Sequence, residues 1–399
     1  MTITLLTGCG PESAASLNPS FTSAAPATSS SQCFDSARPA AKNIHGSGAV
    51  FVLTKSGSLK VLHSFGGSAD GAYPYAGLIE VNGTLYGTTQ GGGANGGGTV
   101  FAISPSGAES VLHSFGSSGD GKSPVASLIY LNGALYGTTE IGGAYGCGTV
   151  FSITPSGTET VLHSFAGYPS DGGIPTANLL DVDGTLYGTT YVGGSGSCEG
   201  FIGHYAGEGC GAVFEITTAG EETLLYHFVT FTGPYAGLVD LKGTLYGTSV
   251  VGSIYRVTMS GDEGQIYSFD RETYGGLTDV NGTLYGTTYN GGTNCGSKGC
   301  GLVFSMKPSF KITVLHSFGG PGDGKHPSAN LVNVNGTLYG TTYAGGATGR
   351  GTLFTISTSG SEKVIHTFGR TPNGGKYPFA PLLNFNGNLY GTTLYGGDD

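Results

Sequence analysis

An eight-residue string, Asn-Gly-Thr-Leu-Tyr-Gly-Thr-Thr, occupies residues 82–89 and returns six more times with small changes. The later copies begin at Asn132, Asp183, Lys242, Asn281, Asn335 and Asn386. An Asn-Gly pair before β-branched and aromatic residues is typical of a hairpin, because both central residues of a type I′ turn need positive φ. Each copy therefore predicts a tight turn that leads into a β-strand.

Other motifs recur with the same period. A Gly-x-Val-Phe string, a Ser-Gly turn, a Val-Leu-His-Ser-Phe string, a glycine-rich loop and a short apolar run precede the hairpins, with variants in some units. The loop often reads Asp-Gly-x-x-Pro, and this element is absent near residues 246–276. Successive Leu-Tyr-Gly-Thr copies are 50, 51, 59, 39, 54 and 51 residues apart. Four short strands per unit without a helical period are typical of a propeller blade. We therefore predict an all-β fold, a seven-bladed β-propeller of four-stranded antiparallel blades over residues 46–397. A parallel β-helix is the rival, but its coils are shorter and lack the hairpin alternation.

The size of the side chains predicts the order of strands within a blade. The run before each hairpin starts with small residues, as at Ala76, Ala126 and Ala177, which suit the crowded centre of a ring. This run is therefore expected to be innermost, with Leu-Tyr-Gly-Thr-Thr second, Val-Phe third and Leu-His-Ser-Phe outermost. The chain then opens with a third and a fourth strand and closes with a first and a second. We expect strands from both termini to complete the last blade, which removes an open sheet edge.

The long, variable loops are expected to share one face, and binding residues tend to lie on such loops. The candidate ligand-binding residues are Tyr145, Tyr191, Tyr205, Tyr289, Tyr343, Asp70, Asp120, Asp171 and Asp323. Tyrosines offer contact area at low entropic cost and suit sugar rings or protein partners; the alternative is packing of loop against loop. For the aspartates, the alternative is a turn in which the carboxylate accepts a backbone hydrogen bond.

The charge and hydropathy of the chain argue against two classes of partner. Its formal net charge is −10, and its 16 Lys and Arg residues form no basic patch, so no nucleic-acid partner is expected. No window of 18 apolar residues occurs, so no transmembrane span is predicted.

The first 45 residues differ from the repeats. Residues 1–9 end in Leu6-Thr7-Gly8-Cys9, a partial match to a lipoprotein signal with Cys9 as the lipidated residue, although no Lys or Arg precedes it. Residues 10–45 are rich in Ser, Ala and Pro, as a flexible tether would be. The alternative is a chance likeness and an N-terminus that carries no address.

The linked motifs G-T-V-F, V-L-H-S-F, D-G-K-x-P and N-G-T-L-Y-G-T-T resemble those of the GloVer tandem-repeat family over residues 48–397. The resemblance implies a repeat architecture and export to the bacterial cell envelope or beyond, with varied surface anchors. It supplies no catalytic residue.

Histidines and cysteines are the remaining candidates for chemistry. His63, His113, His163, His227, His316 and His366 recur in the outermost strand, one in each of six repeats, so a hydrogen bond within the blade is expected rather than a metal site. We expect neither a metal nor a cofactor. Cys198 with Cys210 and Cys295 with Cys300 flank loops and are predicted to form disulfides. Cys33 and Cys147 either pair with each other or stay free.

We therefore expect a monomeric, exported, non-catalytic binding or scaffold propeller whose ligand is a glycan or an envelope protein. The alternative is a carbohydrate-active enzyme, a lyase or a hydrolase, that uses acidic residues on the long-loop face. Glu140, Glu199, Glu208 and Asp171 are candidates for this role only in the sense that they are expected on that face.

Overall fold

The computed structural model describes Cys33 and residues 46–66, 69–104, 106–196, 209–229, 233–269, 271–371 and 374–397. Cys9, Cys198, Glu199, Tyr205 and Glu208 lie outside the described residues. Within them, the chain forms strands and turns arranged as a seven-bladed β-propeller, as predicted.

Each blade is a four-stranded antiparallel sheet. In blades 1 to 6 the strands lie in chain order from the centre of the ring outward, and the blades are numbered from the first complete one. Blades 1 to 3 comprise Ile79–Val81, Thr84–Thr89, Thr99–Ile103 and Glu109–Ser114; Ile129–Leu131, Ala134–Thr139, Thr149–Ile153 and Glu159–Ser164; and Leu180–Val182, Thr185–Thr190, Ala212–Ile216 and Glu222–His227. Blades 4 to 6 comprise Val239–Asp240, Thr244–Thr248, Ser253–Thr258 and Glu263–Ser268; Thr278–Val280, Thr283–Thr288, Leu302–Met306 and Ile312–Ser317; and Val332–Val334, Thr337–Gly345, Thr352–Ser357 and Glu362–Thr367. Short extra strands lie in the long loops: Gly121–Lys122 pairs with Ile141–Gly142, Gly172–Gly173 with Val192–Gly193, and Gly324–Pro327 with the second strand of blade 6.

Blade 7 joins the two ends of the chain. It consists of Leu383–Phe385, Asn388–Thr393, Ala49–Leu53 and Leu59–Ser64. Its central pairing runs from Ala49 opposite Thr393 to Leu53 opposite Leu389. The predicted closure by strands from both termini is therefore confirmed.

The first strand of each blade is the inner one, as the small residues predicted. Inner strands of neighbouring blades contact one another, as those of blades 1 and 2 and of blades 7 and 1 do. The alanines at their entrances, such as Ala76, Ala126 and Ala177, line a narrow axial cavity of about 70 Å³. The hairpin turns have the expected geometry, with φ of 52° at Asn82 and 84° at Gly83.

Aromatic residues form the core between blades. The phenylalanine that directly follows an outer strand contacts the phenylalanine on the third strand of the next blade, as Phe115 contacts Phe151 with ring centroids 5.0 Å apart. Both residues are fully buried. Edge-to-face pairs of this kind add about 0.5–1.5 kcal/mol each to the free energy of area burial.

Two disulfides are present among the described residues. Cys295 pairs with Cys300, as predicted, and Cys33 pairs with Cys147. Cys210 is also disulfide-bonded, and Cys198, its predicted partner, lies outside the described residues. Disulfides persist in oxidising compartments, so they fit a location outside the cytoplasm. In the described part of the chain, no helix has the length and hydropathy needed to cross a lipid bilayer.

Candidate functional site

The long-loop face has a ring of seven residues where the inner strands begin. Each residue occupies the same repeat position, directly before the small residue at the entrance. Six of them follow a proline, whose fixed φ helps to define the approach to the strand. The ring consists of Tyr75, Val125, Thr176, Tyr235, Tyr274, Ser328 and Phe379, and all seven line the axial cavity. We call this region the axial mouth.

A continuous network of aromatic contacts covers most of the axial mouth. Tyr274 contacts Tyr235, Tyr289 and Phe379, with centroids 5.3, 5.0 and 6.3 Å apart. Phe379 in turn contacts Tyr75, with centroids 5.4 Å apart. The network also contains Tyr73, Tyr191, His326, Tyr343, Tyr377 and Tyr395. These rings come from every blade except blade 2.

Unusual backbone conformations hold part of this network in place. Tyr73, His326 and Tyr377 have φ of 60°, 59° and 58°, a left-handed conformation that is uncommon for residues other than glycine. Their backbone N–H groups donate to Ser47, Cys300 and Arg350 carbonyls, respectively. Ser123 and Ile174 have the same conformation at the equivalent repeat position, so this turn belongs to the repeat and fixes the direction in which each loop approaches its inner strand.

The tyrosines at the mouth are half-buried and electrically neutral. Burial raises the pKa of Tyr191 and Tyr289 to about 12 and also raises the pKa of Tyr274 and Tyr343. Their hydroxyl groups therefore remain protonated at neutral pH, where they can donate and accept hydrogen bonds. The mouth consequently combines apolar ring faces with neutral polar groups.

One corner of the mouth contains groups of a different chemistry. The His326 ring stacks on Tyr289 at 4.6 Å, and its Nδ1 lies 3.0 Å from the Tyr289 carbonyl oxygen. A carbonyl only accepts, so Nδ1 carries the proton and Nε2 is the basic nitrogen. Burial lowers the pKa of His326, which keeps the ring neutral. Glu272 accepts a hydrogen bond from Asn290 at 2.8 Å and acts on the pKa of both Tyr289 and His326.

The predicted tyrosines fall into three groups. Tyr191, Tyr289 and Tyr343 belong to the aromatic network, whereas Tyr145 is 58% exposed in a loop of blade 2. Tyr205 lies outside the described residues. The sequence argument missed the ring itself, because its repeat position carries aromatic, aliphatic and hydroxyl residues alike. The available signal was position, one residue before the small residue that recurs in each repeat unit.

The predicted aspartates lie beside the outer strands and are absent from the aromatic network. The Oδ2 atoms of Asp70, Asp120, Asp171 and Asp323 lie 3.3, 3.1, 3.1 and 3.0 Å from Nε2 of His63, His113, His163 and His316. Each carboxylate also accepts backbone N–H groups; Asp120 accepts those of Gly116 and Gly121 at 3.1 and 2.7 Å. The expected histidine hydrogen bond is thus present at four positions.

The histidine pattern needs one correction. Tyr226 pairs with Val213 as His113 pairs with Val100, so Tyr226 occupies the histidine position in blade 3. His227 lies one residue further and accepts a hydrogen bond from the Ser195 N–H. The sequence expectation that His227 shares the position of the other histidines is therefore wrong, because strand pairing, not the nearest histidine, defines the register.

Comparison with known proteins agrees with the fold. The model of the Gloeobacter/Verrucomicrobia repeat matches residues 40–202 and 251–399. No curated protein matches the sequence. Among solved structures, a streptogramin B lyase is similar, with 14% identity, a TM-score of 0.55 and coverage of 87% of this chain and 97% of that chain. A catalytically inactive virginiamycin B lyase from Staphylococcus aureus, solved with quinupristin, is equally similar at 14% identity and 0.55, with coverage of 87% and 99%. At this identity the likeness concerns the fold alone.

Proposed function

The chain belongs to the Gloeobacter/Verrucomicrobia repeat family, and we propose that it is a non-catalytic binding propeller whose axial mouth takes a neutral glycan. The observation that carries the proposal is the aromatic network centred on Tyr274 and Phe379. The alternative to a glycan as the ligand of this mouth is a protein of the cell envelope.

The chemistry of the mouth favours a sugar over a charged ligand. Sugar rings present apolar C–H faces and hydroxyl edges, which match half-buried tyrosine rings whose hydroxyl groups are protonated. Tyrosines are also rigid, so little side-chain entropy is lost when a ligand is bound. The chain as a whole is acidic, which disfavours polyanions.

We also propose that the protein acts at the cell envelope or outside the cell, and that Cys9 is lipidated. The disulfides support an oxidising compartment. Mass spectrometry of the protein purified from its native membrane fraction tests the anchor. A diacylglycerol-modified Cys9 is expected, and an unmodified N-terminus there contradicts the anchor.

Binding is tested with an array of neutral and charged glycans, followed by calorimetric titration of each neutral oligosaccharide that binds. Because the chain contains no tryptophan, quenching of tyrosine fluorescence gives a second readout. Tyr274→Ala and Phe379→Ala are each expected to weaken binding at least tenfold, about 1.4 kcal/mol. Tyr130→Ala, which removes a tyrosine that is 43% exposed and outside the network, is the matched control and should bind as the wild type does. The proposal is overturned if no neutral glycan binds, or if all three variants bind alike.

A second candidate is a polysaccharide lyase, which the geometry of His326 favours. An unprotonated Nε2 next to Tyr289 and Glu272 is suited to abstract the proton α to a uronate carboxylate. The C–O bond β to that carboxylate then breaks as a C=C bond forms, and the departing oxygen takes a proton from a tyrosine hydroxyl group or from water. Hydrolysis would need two carboxylates about 5–10 Å apart, and Glu272 is the carboxylate that the described residues place at this corner. Incubation with uronate-containing polysaccharides tests elimination. The ultraviolet absorbance of an unsaturated product, lost in His326→Gln, would establish a lyase in place of a non-catalytic binder.

A further inference from the structure

Three interfaces between blades hold a cluster of one histidine, one aspartate and one glutamate. The histidine and aspartate belong to one blade and its following loop, and the glutamate begins the outer strand of the next blade. The clusters are His113, Asp120 and Glu159; His163, Asp171 and Glu222; and His316, Asp323 and Glu362. In each, one potential ligand atom from every residue lies within 4.8 Å of the other two. A fourth set, His63 with Asp70 and Glu109, follows the same pattern at the interface of blades 7 and 1.

The glutamates in these sets have buried oxygens that lack a hydrogen-bond partner. Among the described residues, Oε1 of Glu109, Glu159, Glu222 and Glu362 has no partner and almost no solvent contact. A buried, unpartnered carboxylate oxygen is costly, and each such group calls for a physical reason. The adjacent aspartate increases that cost by charge repulsion.

The other interfaces show that the residue types occur together. Where Tyr267 takes the histidine position in blade 4, Ile312 of blade 5 takes the glutamate position. At the interface of blades 6 and 7, His366 faces a blade whose outer strand begins at Leu59. At the interface of blades 3 and 4, Glu263 accepts a hydrogen bond from the Tyr226 hydroxyl at 3.4 Å. In the part of the chain that the structure describes, the one interface that has the glutamate without the histidine and the aspartate is therefore the one at which a tyrosine hydroxyl group donates a hydrogen bond to that glutamate.

We propose that each His–Asp–Glu cluster binds one divalent transition-metal ion of the zinc type, which links two neighbouring blades. One imidazole nitrogen and two carboxylate oxygens are a ligand set that zinc accepts, with water as the fourth ligand. Calcium is a poor match, since it requires six to eight oxygen ligands.

The distances are close to those that a metal ion needs. Ligands about 2.0–2.1 Å from a tetrahedral zinc ion lie roughly 3.3 Å from one another. The imidazole and aspartate atoms are already 3.0–3.1 Å apart in the three clusters. The glutamate oxygen, at up to 4.8 Å, would have to approach by a change of side-chain rotamer.

Charge and access also agree with a metal ion. A divalent cation neutralises the two carboxylates while the histidine is neutral, which removes the repulsion at the interface. Asp120 lines a cleft of about 280 Å³, which gives an ion a path to the first cluster. Because residues of two blades form each site, the site exists only in the folded protein, and binding of the ion would stabilise the folded state.

The experiment measures zinc binding by the whole chain after removal of the affinity tag and dialysis against a chelator. Equilibrium dialysis with zinc chloride, read by elemental mass spectrometry, is expected to give at least three ions per chain. The variant Glu109→Gln, Glu159→Gln, Glu222→Gln and Glu362→Gln should bind fewer than one. The single change Glu263→Gln is the matched control and should bind as many ions as the wild type, because its glutamate faces tyrosine. Circular dichroism establishes that each variant is folded.

A second readout tests the geometry. Cobalt substitution should give the intense visible absorption of a four-coordinate site in the wild type and the control, and lose it in the multiple variant. Zinc should raise the melting temperature of those two proteins by several degrees and leave that of the multiple variant unchanged. Equal zinc binding by all three proteins, or fewer than three ions per wild-type chain, overturns the proposal.

Discussion

A carboxylate oxygen of Glu159 lies within 4.8 Å of a ring nitrogen of His113, although the two residues belong to the outer strands of different blades. Asp120 bonds the same histidine at 3.1 Å, so two carboxylates share one imidazole. The contact joins side chains that are 46 residues apart. It therefore makes the interface between blades, rather than a single blade, the unit that responds to protons and ions.

These interface clusters predict that stability falls as the pH rises from about 4.5 to 8 when metal is absent. Burial, reinforced by the nearby aspartate, raises the pKa of Glu109, Glu222 and Glu362 to about 7, from 4.5. Between these values the folded state holds more protons than the unfolded chain, so the free energy of unfolding decreases with pH. The hydrogen bond to aspartate also raises the pKa of His113 and His316 above 6.5, and that stabilisation is lost as the pH rises through the folded value.

Thermal unfolding in chelator between pH 5 and 8 measures this dependence. The Glu→Gln variant at positions 109, 159, 222 and 362 should show a weaker slope below pH 7, because glutamine does not titrate. Glu263→Gln should retain most of the slope. A wild-type melting temperature that rises with pH through this window would contradict the assigned protonation states.

The disulfides predict unequal losses of stability. Cys33 and Cys147 are 114 residues apart, whereas Cys295 and Cys300 are 5 apart. In the chain-entropy model, the first bridge contributes about 5 kcal/mol and the second about 2 kcal/mol to the free energy of unfolding. Double serine variants of each pair, compared by denaturant unfolding, should show the larger loss for positions 33 and 147. Equal losses of unfolding free energy would mean that the Cys33–Cys147 disulfide restrains the unfolded chain no more than the Cys295–Cys300 disulfide does.

The sequence predicted the parts of the fold that depend on local chemistry. The positive φ values at Asn82 and Gly83 follow from the residues themselves, and the small size of Ala76 identified the inner strand. Contacts between side chains of neighbouring blades depend on the angle between the two blades, and this angle cannot be derived from the sequence of a single repeat. For this reason the pairing of Glu159 with His113 was missed, although glutamate recurs four residues before the histidine in several repeats. The axial mouth was missed because its ring position has no shared residue type.

The glycine of the Leu-Tyr-Gly-Thr string predicts a packing constraint in the blade core. A Cβ atom on Gly137 would lie 2.7 Å from Leu128 Cδ2 and 2.8 Å from Phe151 Cζ. Such overpacking costs about 1–3 kcal/mol, so Gly137→Ala should lower the midpoint of urea unfolding. Gly320→Ala is the control, since the nearest atom to its Cβ is 3.9 Å away. Equal midpoints for the two variants would show that the second and third strands separate at little cost.

Tyr255 predicts a stabilising substitution in blade 4. It occupies the position that is phenylalanine in the other six blades, as at Phe151 and Phe304, and it is fully buried. Among the described residues its hydroxyl group has no hydrogen-bond partner, and burial strongly raises its pKa. Removing an unpaired buried hydroxyl recovers its desolvation cost, so Tyr255→Phe should raise the free energy of unfolding by about 1 kcal/mol.

The reciprocal change provides the control for Tyr255. Phe304→Tyr places a hydroxyl group in the equivalent site of blade 5, next to Gly286, whose Cβ would lie 2.6 Å from Phe304 Cζ. That variant should lose about 1–3 kcal/mol, because the new hydroxyl is desolvated without a partner. Urea unfolding of both variants compares the two blades directly. If Tyr255→Phe lowers the free energy of unfolding instead, a buried water or another group must form a hydrogen bond with the tyrosine hydroxyl group. The core of blade 4 would then differ from those of its neighbours in containing a satisfied polar group.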